Sequence, residues 1–154
     1  MENEIQIQII PAGEEDFSYL HALAASSMGP EWTWLNSLGM LTLPKILRFK
    51  AVIADSRQLV GFIASEFPNS ESVAWILALG VDAEYRRLGI AQRLLAVCEV
   101  TSQAIRYRLC VRRSNENAQR LYQQVGYQQV GVWANYYLNE DAFVFEKKSE
   151  SVEK

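Results

Sequence analysis

At 154 residues the chain has the length of one domain and enough material for one sizeable core. Its 49% apolar and 21% charged residues are globular values that exclude disorder, and a net charge of -3 speaks against a general nucleic-acid coat protein. The two cysteines, Cys98 and Cys110, show no Cys-x-x-Cys spacing and have no histidine nearby, so neither a disulfide framework nor a metal is expected.

The start, Met1-Glu2-Asn3-Glu4, is acidic and lacks an apolar run, and the longest apolar stretch, 73–81, is only strand length. No signal peptide and no membrane span are expected, and the chain reads as cytoplasmic. Ile5, Ile7 and Ile9 alternate with Gln6 and Gln8, which predicts a half-buried first strand ended by Pro11. Residues 14–27 read as a helix, with acids in the first turn and Phe17, Leu20, Leu23 and Ala24 on one face. Residues 29–44 are irregular and aromatic, with Trp32 and Trp34 beside Gly39 and Pro44, and read as a short helix in loops. Segments 51–54 and 59–65 form a hairpin turning at Asp55-Ser56-Arg57, and 72–81 is a central strand buried on both faces.

A helix follows over 90–102, with Ile90, Leu94, Val97, Cys98 and Thr101 at helical spacing. Then come a strand at 107–111, a helix at 117–125 stopped by Gly126, and strands near 128–132 and 142–147. This order predicts one α/β (mixed α+β) domain over 1–148, with a loose tail over 149–154. The expected architecture is a central twisted mixed sheet of about six to seven strands with helices on both faces.

The net charge conceals an asymmetry. Arg86, Arg87, Arg93, Arg106, Arg108, Arg112 and Arg113 are seven of the fifteen basic residues, and only Glu99 lies among them. Such a cluster suits a polyanionic ligand, although solvated helix and strand edges produce the same pattern. At Leu79-Gly80-Val81 a buried strand runs into a basic turn, Arg86-Arg87-Leu88-Gly89, which opens directly into the helix at Ile90-Ala91-Gln92. The first N–H groups of a helix lack intrahelical partners and carry the positive end of its dipole, so they form an anion site. Small residues at Gly89 and Ala91 let a phosphate approach the backbone, and Arg86 and Arg87 add charge at the rim. Neither a P-loop lysine nor a Gly-x-Gly-x-x-Gly run is present.

Arg86-x-x-Gly89-x-Ala91 resembles the acyl-CoA pyrophosphate motif of the Gcn5-related N-acetyltransferase (GNAT) superfamily, Gln/Arg-x-x-Gly-x-Gly/Ala. Downstream, Val111-Arg112-Arg113-Ser114-Asn115, Leu121-Tyr122 and Gly126-Tyr127 resemble its second motif. The similarity is closest to bacterial enzymes that acetylate the N-terminal alanine of a ribosomal protein, which share Asn135-Tyr136-Tyr137 ahead of the last strand. The resemblance implies that the backbone of Leu79, Gly80 and Val81 pairs with the pantetheine arm of acetyl-CoA. It implies that Arg87, Leu88, Gly89, Ile90, Ala91 and Gln92 hold the pyrophosphate, and that the Asn115 side chain hydrogen-bonds the cofactor. Tyr122 would protonate the leaving thiolate, and Tyr136 and Tyr137 would lie beside the incoming amine. A phenol of pKa about 10 suits a thiol of about 8.5, although a helix tyrosine can also simply pack its ring.

One position departs from the pattern: those enzymes carry a glutamate base where this chain has Cys110. A thiol is a poor base, and without a partner histidine Cys110 reads as core or pocket lining. His21 reads as surface or packing, and nothing selects Glu31 or Glu66 as a substitute acid. The leading expectation is direct acetyl transfer from acetyl-CoA to a primary amine, a protein N-terminus or a small molecule. The alternatives are an acyl-CoA-binding module without turnover and a nucleic-acid binder. The last is disfavoured because the arginines flank a turn and a buried strand, so neither nucleic acid nor membrane is an expected partner. A monomer or a homodimer is expected.

Overall fold

The structure is a computed structural model that describes residues 4–29 and 32–150. Seven strands, β1 (Ile7–Pro11), β2 (Ile46–Ile53), β3 (Leu59–Glu66), β4 (Val73–Val81), β5 (Arg106–Arg112), β6 (Gln128–Tyr137) and β7 (Glu140–Lys148), form one sheet. Their order is β1-β2-β3-β4-β5-β7-β6, and every neighbouring pair is antiparallel except β4–β5. That parallel pair needs a crossover, supplied by α3 (Ile90–Ser102). Helices α1 (Phe17–Met28) and α2 (Trp34–Thr42) cover one face, and α3 and α4 (Glu116–Gln124) cover the other. Among the described residues no helix is long and apolar enough to cross a membrane.

Two cores follow from this layering. Leu20 and Leu41 meet Phe62, Ala64 and Ala78 on the α1 face. Ile90, Leu94, Leu95 and Cys98 of α3 meet Ile63, Ala74, Ile76, Leu109 and Phe145 on the other. The α3 stripe therefore runs through Leu95 in place of Thr101, which is exposed. Gly61 brings this helix close to the sheet, because a β-carbon there would lie 3.1 Å from Ile90 and 3.2 Å from Leu94.

Several expected boundaries move. Ile5 precedes β1 and is exposed, and the first turn of the expected 14–27 helix is a 3₁₀ turn over Glu14–Asp16. The first hairpin strand starts at Ile46 instead of residue 51. Its extra length holds Lys50, whose ammonium meets buried Asp16 at 2.7 Å, so a charged stretch sits within a strand. The expected strand at 128–132 runs on to Tyr137 as the sheet's edge strand, with two register breaks. At the second break Asn135 adopts a left-handed φ of 53°, and its N–H donates to Asp141 Oδ1 at 2.9 Å.

β4 changes face along its length. Ala74 and Ile76 pack toward α3, whereas Ala78 packs toward α1. The register against β3 explains this: Ala64 pairs with Ala78 and Ser65 with Ile76, so Leu77 is an extra, bulged residue. A one-residue bulge exchanges the two faces of everything beyond it.

Candidate active site

The bulge opens the sheet. β4 and β5 pair only through Val73–Arg106, Ala74–Tyr107 and Trp75–Arg108, and beyond Trp75 the strands diverge. The wedge between them is lined by residues 76–79 of β4 and 109–112 of β5, with Asn115, Ala118, Tyr122 and Tyr137. Here each strand presents an edge that its neighbour does not pair, a template for a ligand carrying amides of its own. The enclosed part measures ≈ 100 Å³.

At one end of the wedge β4 delivers the chain, through Asp82 and a 3₁₀ turn, to the start of α3. Gly89 is the N-cap in a left-handed conformation (φ 77°), and no side chain caps the helix. A β-carbon on Gly89 would have nothing within 4 Å, so the space over the first N–H groups of α3 is open. Arg86, Arg87 and Leu88 are exposed beside it, Ala91 and Gln92 are half-buried, and Ile90 is buried. The Arg86 Nε donates to the Val81 carbonyl at 3.2 Å, folding that side chain back to the end of β4.

The arginine cluster divides in two. Arg86, Arg87 and Arg93 form no ion pair among the described residues and stand at or near this cradle. Arg106 and Arg108 share Glu146 at 3.5 and 2.7 Å, Arg112 meets Glu140 at 3.5 Å, and Arg113 meets Asp141 at 3.9 Å. Four of the seven arginines of the expected polyanion cluster are therefore in structural pairing along β5 and β7.

The other side of the wedge is held by α4. Asn115 is its N-cap, and its Oδ1 accepts from the Ala118 N–H at 3.1 Å, which leaves the amide nitrogen of that side chain to donate to a ligand. Gln119 Nε2 donates to the carbonyls of Arg112 and Arg113 at 3.1 and 2.9 Å, fixing α4 to the end of β5. Tyr122 lines the wedge, buried, with its ring against Tyr127 and Phe145. Its hydroxyl makes no hydrogen bond among the described residues. Burial pushes the phenol up to about 12, so it is a proton donor and not a base at neutral pH. The hydroxyl is therefore available to a ligand in the wedge.

Cys110 also lines the wedge, half-buried, and burial pushes its thiol up to about 11. It is neither a thiolate nucleophile nor a base near pH 7. Tyr137 also lines the wedge, with the Arg112 guanidinium 4.2 Å from its ring centre, and burial raises its phenol. Tyr136 stands edge-on to Tyr137 at 5.0 Å. The Glu140 carboxylate accepts from the Ser114 N–H at 2.6 Å, tying the β6–β7 turn to the start of α4; these hydrogen bonds lower its pKa.

His21 lies elsewhere, stacked on Phe17 and hydrogen-bonded to Ser37 at 2.8 Å, a packing role. Glu66 ends β3 exposed, and Glu31 lies outside the described residues. Sequence reasoning missed the bulge at Leu77 and the wedge-lining Ala118. It also missed a second aromatic pair, Trp75 and Trp133, 5.5 Å apart on the face shared with Cys110.

Residues 15–127 match the model of the acetyltransferase (GNAT) family. No curated protein matches the chain in sequence. The fold is similar to that of Arabidopsis thaliana NAA60 in complex with a bisubstrate analogue, at TM-score 0.81 and 22% identity, covering 93% of this chain and 98% of that one. It is similar to the ribosomal-protein-S18-alanine N-acetyltransferase from Escherichia coli, at TM-score 0.80 and 19% identity, covering 93% and 94%. An aminoglycoside 6′-N-acetyltransferase complexed with coenzyme A is also similar, at TM-score 0.77 and 18% identity, covering 92% and 96%.

Proposed function

The chain belongs to the GNAT acetyltransferase family, and we propose that it moves the acetyl group of acetyl-CoA directly to the α-amine of a protein or peptide N-terminus. The observation that carries this reading is Tyr122, which lines the wedge with its ring packed in the core and its hydroxyl free of hydrogen bonds among the described residues. The residues fit the co-substrate. The open space at Gly89 takes the pyrophosphate on the N–H groups of Ile90, Ala91 and Gln92, with Arg86 and Arg87 at the rim. The edge of Leu79, Gly80 and Val81 that β5 does not pair takes the pantetheine amides beside the Arg86 contact at the Val81 carbonyl, and the Asn115 amide nitrogen donates to them.

When bound, acetyl-CoA supplies the thioester. The wedge then holds its carbonyl where a neutral amine can form the new C–N bond as the C–S bond breaks. The Tyr122 hydroxyl gives its proton to the departing sulfur, and the amine's surplus proton leaves through water and restores the phenol. Cys110, protonated, takes no part in this transfer. That absence of a carboxylate base selects the acceptor. At pH 7 an α-amine of pKa 7.7–8.0 is roughly 10–20% neutral, and a lysine near 10.4 is only about 0.04% neutral.

Two outcomes follow. A peptide with a small free N-terminal residue is acetylated faster than the same peptide N-blocked with an internal lysine; the reverse order overturns the α-amine reading. The pH profile of kcat/KM on that peptide rises as the α-amine deprotonates and levels above about pH 8. Because Tyr122 loses its proton only near 12 and Cys110 only near 11, no descending limb appears below about pH 10. A fall between pH 8 and 9 would assign the proton donor elsewhere.

A second reading, acetylation of small-molecule amines, draws support from the likeness to the aminoglycoside enzyme's fold. Activity on free polyamines with none on peptides would favour it.

A further inference from the structure

The sheet face that carries Cys110 continues past the wedge into a second pocket. Leu109 and Val111 pack toward α3, so Arg106, Arg108, Cys110 and Arg112 lie on the opposite face of β5. Cys110 pairs across the sheet with Val144, and Val144 with Gly131; both of these line the second pocket. Its walls are Trp75, Trp133, Arg108 and Glu146, and it measures ≈ 350 Å³, within the range of small-ligand pockets, about 300–1,000 Å³. The two pockets thus share one row of the sheet. Tyr136 extends the wall toward the wedge, 5.4 Å from Trp133 and 5.0 Å from Tyr137.

Two indoles and a carboxylate would ordinarily attract a cation. This pocket already contains one. The Arg108 guanidinium lies 5.9 Å from the Trp75 ring centre and donates to Glu146 at 2.7 Å, and Arg106 reaches the same carboxylate. Two guanidiniums against one carboxylate leave excess positive charge beside exposed apolar ring surface. That surplus repels a further cation, and the exposed indole surface is left for an apolar group.

Arg108 lies two residues along β5 from Cys110, a separation of about 6–7 Å. In a peptide the second α-carbon stands at most about 5 Å from the terminal nitrogen. We propose that the pocket between Trp75 and Trp133 receives the side chain of the acceptor's second residue, selecting a large apolar or aromatic group and rejecting a cationic one. The inference rests on the α-amine reading above and assigns the specificity of that same site.

The test uses the full chain, acetyl-CoA and free-N-terminal peptides that differ only at the second residue: Phe, Leu, Gly or Lys. The Phe and Leu peptides exceed the Gly peptide in kcat/KM by about tenfold or more, and the Lys peptide falls below it. Trp133→Ala, at a partly exposed site, collapses the Phe-to-Gly ratio. Arg108→Gln removes the resident cation and raises the Lys-to-Gly ratio, with acetyl-CoA affinity by calorimetry unchanged in both variants. Equal rates on all four peptides, or a preference for Lys, overturn this proposal and leave the α-amine reading standing. Acetylation of none of them overturns both. The panel on the unaltered chain decides the matter even where a variant fails to fold.

Discussion

Gly89→Glu is expected to abolish acetyl-CoA binding while the protein stays folded. Gly89 sits in the left-handed region, where an L side chain costs roughly 1–2 kcal/mol, so some stability is lost. The loss is bounded, because the new side chain enters space with no atom within 4 Å. Its carboxylate would sit over the first N–H groups of α3, where a negative charge contributes about 0.3–1 kcal/mol through the helix dipole. The helix is kept, and its N-terminus is occupied by an anion that is part of the chain. A pyrophosphate then meets a like charge and a filled cradle. Calorimetry with acetyl-CoA should give no binding heat, alongside an unaltered far-ultraviolet spectrum. Gly89→Ala, with the same strain and no charge, should keep measurable affinity. Parent-like binding by Gly89→Glu would mean that the cradle belongs to another turn.

Tyr122→Phe is expected to lower kcat by about 10²–10⁴-fold, or roughly 3–5 kcal/mol of barrier, with acetyl-CoA affinity almost unchanged. The substitution keeps the ring and its contacts with Tyr127 and Phe145, and no protein hydrogen bond is lost among the described residues. Stability should therefore barely move, which separates a proton-donor role from packing. Unchanged turnover would show that water or another group protonates the thiolate.

The elements that carry periodic burial were legible in the sequence. The helix expected over residues 90–102 spans Ile90–Ser102, because Gly89 precedes a run with one apolar stripe. The turn into that helix was legible because it depends on local residue types, whereas α4, expected over 117–125, spans Glu116–Gln124 with Asn115 as its N-cap. β2 was half-missed because Arg48 and Lys50 interrupt its apolar pattern, and their partners, such as Asp16, lie far away in sequence. The end of β6 was missed because an edge strand with mostly exposed residues shows no alternation.

The wedge itself left no local mark. It arises from a bulge at Leu77 within an unbroken apolar run, and only the register against β3 reveals it. The Trp75–Trp133 pair was hidden for the same reason, since its members stand on strands that are not sheet neighbours. Asn115 was identified as a site residue, but its helix-capping bond, which takes the side-chain oxygen, emerged only with the coordinates.

The most direct test places both acceptor types in one molecule. A peptide with a free N-terminal alanine and an internal lysine, incubated with the protein and deuterated acetyl-CoA, is analysed by fragmentation mass spectrometry beside a count of released thiol. The label should appear on the α-nitrogen, one acetyl group per thiol released, and the lysine should stay unmodified while free α-amine remains. A label confined to the lysine, or thiol released with no acetylated peptide, would contradict the account.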